Sequence, residues 1–157
     1  MPLRADEVDI GLQFEPTELL YRRVSKDGVN SAGEFLPSEL NTISFNKHID
    51  SAPSVLRSAY SKPLDVIASD CAGEKDVSAW RVFAIAVDDL PTPVVAQDGR
   101  SFDFYPVHRP LPRCGAHSVI SCCITGDKTR IYVVPPRSIK NALRTKLATS
   151  LKPVVIG

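Results

Sequence analysis

No apolar run in these 157 residues approaches the roughly 18 that a helical membrane span needs. The opening stretch, Met1-Pro-Leu-Arg-Ala-Asp-Glu-Val-Asp9, is acidic and lacks the apolar centre of a secretory signal, so a cytoplasmic address is expected. CxxC pairs and zinc-like Cys/His spacings are missing, and no carboxylate stands in a ligand pattern with any histidine, which leaves no expectation of a metal. Repeats and low-complexity segments are also missing. Acid is absent beyond Asp127. The first 127 residues carry 12 basic and 18 acidic groups, a net of −6, and the last 30 carry seven basic groups, a net of +7. Such asymmetry marks either a surface for nucleic acid or an acidic partner, or a tail packed on an acidic part of its own domain.

What is present describes an ordinary globular chain: 43% hydrophobic and 24% charged residues, enough for one domain with a single core. Thirteen prolines favour short elements and fixed turns. Cys71, Cys114, Cys122 and Cys123 read as free thiols, the last two adjacent in a strand and facing opposite ways.

Hydropathy periodicity predicts a strand at Glu18–Val24, a turn at Ser25–Gly28, loop to Glu39 with a short turn at Pro37–Leu40, and a half-buried strand at Thr42–Asn46. A helix is predicted over Ala52–Tyr60, with Ser51 as N-cap and Val55, Leu56 and Ala59 as its stripe. Pro63 stops it and opens another short element. Trp80–Val87 is the strongest strand, apolar except at Arg81 and therefore covered on both faces. Asp98-Gly99 joins Val94–Ala96 to Phe102–Val107 as a hairpin. A second hairpin runs from Ser118–Ile124 through Gly126-Asp127 into Arg130–Val134. Pro135-Pro136 then opens a helix to about Ser150, its stripe Ile139, Ala142, Leu143 and Leu147, with Arg137, Lys140 and Arg144 on another face. The expected architecture is a single α+β domain over residues 1–157: a mostly antiparallel sheet of five to six strands with two or three helices, the last one basic, and loose ends at 1–17 and 151–157.

The three histidines lie in compact motifs at strand ends: Thr42-Ile-Ser-Phe-Asn-Lys-His48-Ile-Asp50, Phe104-Tyr-Pro-Val-His108-Arg109-Pro110 and Arg113-Cys-Gly-Ala-His117-Ser-Val-Ile120. His117 is the preferred site residue, because an imidazole entering an apolar strand must be solvated, hydrogen-bonded or functional. Arg22, on the face of Leu20, is a candidate anion partner. Ser44 and Asn46 offer a hydroxyl and an amide beside His48, and His108-Arg109 precede a rigid Pro110-Leu-Pro112 wall. Convergence of His48, His108 and His117 with Arg22 would make a metal-free acid–base site for phosphodiester cleavage. Each of these residues can equally be an ordinary surface or loop group.

Leu20-Tyr-Arg-Arg-Val24, Ile43-Ser-Phe-Asn-Lys47 with Asp50-Ser-Ala-Pro-Ser-Val-Leu56, Val107-His-Arg-Pro110 and Ala116-His-Ser-Val119 together resemble a small uncharacterised bacterial family. Its members carry LYR, LSVNR…SPEDVL and VVHDP…AHAxV segments in the same order. The order is more remotely similar to the ADP-ribosyltransferase superfamily, including the compact RES-type toxins of toxin–antitoxin pairs. That resemblance implies NAD as substrate, with Arg22 on phosphate, Ser44 at the nicotinamide side and His117 or Ser118 at the third position. It also implies a cognate antitoxin or other protein partner. The chain departs from the pattern in two places: one hydroxyl residue stands where two are usual, and His-Ser stands where a glutamate is usual. Two other readings stay open. One is a histidine-dependent ribonuclease or RNA-binding module using Arg137, Lys140 and Arg144 on phosphates. The other is a non-enzymatic, immunity-type interaction protein. None involves a membrane.

Overall fold

The computed structural model describes residues 14–40, 45–68, 77–111 and 114–155. Seven strands, β1 (Leu19–Ser25), β2 (Ser54–Arg57), β3 (Trp80–Ala86), β4 (Val94–Val95), β5 (Ser101–His108), β6 (His117–Ile124) and β7 (Lys152–Val154), form one sheet in the order β4-β5-β6-β2-β1-β3-β7. Every ladder is antiparallel. Two α-helices, α1 (Pro63–Ala68) and α2 (Arg137–Ser150), complete the α+β architecture.

Both faces of the sheet are covered, and the alternation of β1 shows how. Leu20 and Val24 face a large core with Phe83, Ile85, Phe102, Phe104, Ile120 and the buried stripe of α2. Tyr21 faces a smaller one with Leu56, Val66, Val82, Ala84, Cys114 and Ala116. The near-continuous apolar run of β3 is thereby explained, since Val82 to Ile85 are all buried. The Asp98-Gly99 hairpin also forms, with Gly99 at φ +87°, a conformation that glycine adopts without a Cβ penalty.

Several expectations are corrected. The sheet has seven strands, not five or six. The predicted Ala52–Tyr60 helix is instead β2, flanked by β1 and β6. Val55 enters the large core and Leu56 the small one, a two-sided burial that a helical stripe cannot supply. Arg130–Val134 does not form a hairpin arm. On that side β6 is already paired with β2 as far as Val119, Ile120 N–H bonds to Pro53 O, and only Val133 N–H reaches Cys122 O at 3.1 Å. Ala142 is exposed; Ala148 takes its place in the stripe beside Ile139, Leu143 and Leu147.

The tail also differs, because Lys152–Val154 add a strand to the edge of β3. Thr42–Ser44 lie outside the described residues, while Phe45 is fully buried at φ +43° and Asn46 is irregular, so neither continues a strand. Cys122 and Cys123 are free and buried, but Cys114 is disulfide-bonded, its partner lying outside the described residues. Among the described residues no helix is long and apolar enough to cross a membrane.

Candidate functional site

The β1–β2 ladder pairs Leu20 with Arg57 and Tyr21 with Leu56, while Ser54 pairs with Val119 of β6. In place of a β1 amide, the Ser54 carbonyl accepts a hydrogen bond from Arg22 Nη1 at 2.9 Å. Arg22 Nε is buried without a partner, and no carboxylate among the described residues lies within ion-pair distance of this side chain. Burial lowers the Arg22 pKa to about 10, neighbouring Arg23 adds to the shift and Glu39 opposes it. The guanidinium therefore remains charged at neutral pH and has capacity for an anion.

Ser54 has a second partner. His117 opens β6 with both ring nitrogens engaged: Nδ1 lies 2.7 Å from Arg109 O and Nε2 lies 3.2 Å from Ser54 Oγ. A carbonyl oxygen only accepts, so Nδ1 carries the proton and Nε2 of the neutral ring is left as an acceptor for the serine hydroxyl. Burial holds His117 below the ordinary imidazole range, against the opposing pull of Arg109 O and Asp50. The ring is thus neutral, oriented and facing an exposed hydroxyl, which is the geometry of a base beside a nucleophile.

The orienting residue is itself fixed. Arg109 Nε and Nη2 reach Asp50 Oδ1 and Oδ2 at 3.0 and 2.9 Å. Asp50 is held below the usual carboxylate range chiefly by that guanidinium, with His117 and His48 contributing. His108 is a neighbour rather than a member of the group. Its Nδ1 is 3.5 Å from Ser118 Oγ, its Nε2 is buried without a partner, and its ring centre is 6.0 Å from that of Tyr60. Burial, then Arg57, lowers its pKa.

Arg22, Arg109 and His117 are thus gathered around Ser54. His48 is exposed, and its ring bears on the group through Asp50. Ser44 lies outside the described residues. Asn46 belongs to a second feature, a cavity of about 390 Å³ that it lines with Arg137, Lys140, Asn141 and Arg144 of α2. The two features are linked through the chain between them. Asn46 N–H bonds to Ser51 Oγ, whose hydroxyl donates to His48 O, and Asp50 in the same turn holds Arg109. A larger hollow of about 500 Å³ beside β3 and β7 holds none of the expected site residues.

Sequence reasoning missed Ser54, which it placed in a helix, and the buried pair Arg57–Glu18. Arg57 meets Glu18 through two 2.8 Å hydrogen bonds, with the rings of Phe14 and Tyr60 at 3.9 and 5.0 Å. The available signal was an arginine directly after the apolar pair Val55-Leu56. Among the described residues no group of three or more His, Cys, Asp or Glu side chains is placed to hold a metal. No protein-family model, curated protein or solved structure matches the chain.

Proposed function

We propose that this protein is a nucleotide-directed transferase or hydrolase whose reacting centre is Ser54. The supporting observation is the double grip on that residue, with His117 Nε2 on the hydroxyl and Arg22 on the carbonyl. His117 Nε2 takes the proton of Ser54 Oγ as the oxygen attacks an electrophilic substrate atom, and returns it to the leaving group as that bond breaks. Arg109 O and the Arg109–Asp50 pair hold the ring in position. Arg22 attracts an anionic substrate and stabilises charge developing beside Ser54.

NAD is the substrate to try first, because the resemblance to ADP-ribosyltransferase-like toxins implies it. In that reading Arg22 binds pyrophosphate and His117 acts at the third position. His117-Ser118 stand where the superfamily has a glutamate, and the nearby Asp50 carboxylate is held by Arg109. A toxin role with an antitoxin partner, and a cytoplasmic site of action, belong to the same proposal.

A thermal-shift titration with NAD, paired with an assay of nicotinamide release, tests this reading. The expected result is a concentration-dependent shift that Arg22→Ala loses. Ser54→Ala should retain the shift but lose turnover by at least a hundredfold. Absence of both shift and release up to millimolar NAD overturns the NAD reading. Release unaffected by Ser54→Ala and His117→Asn overturns the Ser54 centre.

A further inference from the structure

We infer that the cavity at the start of α2 is a binding site for the pyrophosphate group of a small molecule. It stands whether or not Ser54 reacts. The cavity, of about 390 Å³, is walled by Arg137, Lys140 and Arg144 with the amides of Asn46 and Asn141, and among the described residues no acidic one lines it. That volume lies within the range of small-molecule pockets, roughly 300–1,000 Å³.

The three cations recur at i, i+3 and i+7, so helical geometry places them along one side of α2. Ile139, Leu143 and Leu147, on another side, anchor that helix in the core. The charges therefore sit on a rigid support. Arg137 and Lys140 also differ from Lys146, another basic group of α2. Lys146 is taken up structurally, donating to Thr92 O, Thr92 Oγ1 and Pro93 O at 2.8–3.2 Å. Arg137 and Lys140 have no carboxylate within ion-pair distance among the described residues. Arg144 Nη1 donates to Asn141 Oδ1 at 3.3 Å, which ties two of the lining side chains together.

Like charges crowded into a hollow repel unless an anion joins them. The Arg137 guanidinium fork and the Lys140 ammonium match adjacent phosphates, which offer several oxygens at close spacing, and the Arg144 charge adds to the field around them. The amides of Asn46 and Asn141 can donate to the bridging region. Concavity favours the phosphate chain of a small molecule over an extended nucleic-acid backbone, which would need a strip of charge along an open face.

Isothermal titration of the full chain with inorganic pyrophosphate tests the site. Saturable binding, 1:1 in the Arg22→Ala background, is expected, weakening as salt rises because partly exposed charges are screened. Arg137→Glu with Lys140→Glu should weaken it at least tenfold without lowering the melting temperature, since neither side chain belongs to the core. Binding to the cavity should persist in Arg22→Ala, which removes the anion partner of the Ser54 site and so separates failure here from failure of the Ser54 reading. Absence of pyrophosphate binding, or binding indifferent to the double charge reversal, overturns the inference. Binding of single-stranded RNA that the double variant loses, with no response to pyrophosphate, overturns it in favour of a nucleic-acid surface.

Discussion

At the scale of single residues, the strongest commitments are charges placed where water is scarce. Arg57 is 2% exposed and its carboxylate partner Glu18 is 5% exposed at the side chain, so each depends on the other for solvation. Removing one partner strands the other. Arg57→Ala should destabilise the protein by about 3–5 kcal/mol in urea denaturation. An Arg57→Met, Glu18→Leu double variant should recover most of that loss, because no charge remains buried. A loss below about 1 kcal/mol for Arg57→Ala would show that water reaches the pair. Arg22 differs in kind, being held by one carbonyl with a buried Nε left over, and that surplus is why it enters the functional argument. The two arginines look alike in the sequence, since each follows a pair of apolar residues, Leu20-Tyr21 and Val55-Leu56. Only their surroundings separate a structural pair from a group with free capacity.

At the scale of elements, close approach sets the constraints near the site. Gly28 ends the short turn after β1, and a Cβ there would stand 2.5 Å from Glu39 Cγ and Cδ and from Val24 Cγ2. Gly28→Ala should therefore cost about 1–3 kcal/mol through overpacking, read as a lower midpoint in urea at unchanged slope. Because Glu39 opposes the depression of the Arg22 pKa, displacing it should also alter ligand affinity at Arg22. Truncation in α2 is expected to act differently. Leu143 is fully buried, and Leu143→Ala should destabilise by about 2–5 kcal/mol. Equal stability of that variant and the parent would mean that α2 is not anchored by its apolar stripe.

At the scale of the whole molecule, the histidines couple stability to pH. Burial holds both His117 and His108 below the ordinary imidazole value. The unfolded chain therefore binds protons that the folded chain refuses. The contribution of these groups is fully present above the unfolded value of about 6.5 and is lost as pH falls from there toward the depressed folded values. The melting temperature should drop between pH 7.5 and pH 5.5 by more than in His117→Asn, which removes one of the two groups. A parallel decline in parent and variant would assign the effect elsewhere. The free thiols play no part in this range, since burial raises both and carries Cys122 up to about 12.

Much of this molecule follows from local pattern. The runs at β1, β3, β5 and β6, the Asp98-Gly99 turn and α2 each carry a periodicity or turn chemistry that neighbours in the chain suffice to establish. The same is true of Arg22 sharing a face with Leu20. The identity of β2 was not legible, because four residues are too few to carry a period and Val55 and Leu56 suit either structure. It became a strand because β1 and β6 both required a hydrogen-bonding partner between them. Ser54 inherited its neighbours from that decision. The sequence alone determined which side chains could do chemistry; tertiary structure decided that Arg22, Ser54, Arg109 and His117 meet, since residues up to 63 positions apart touch only once the strand order is set.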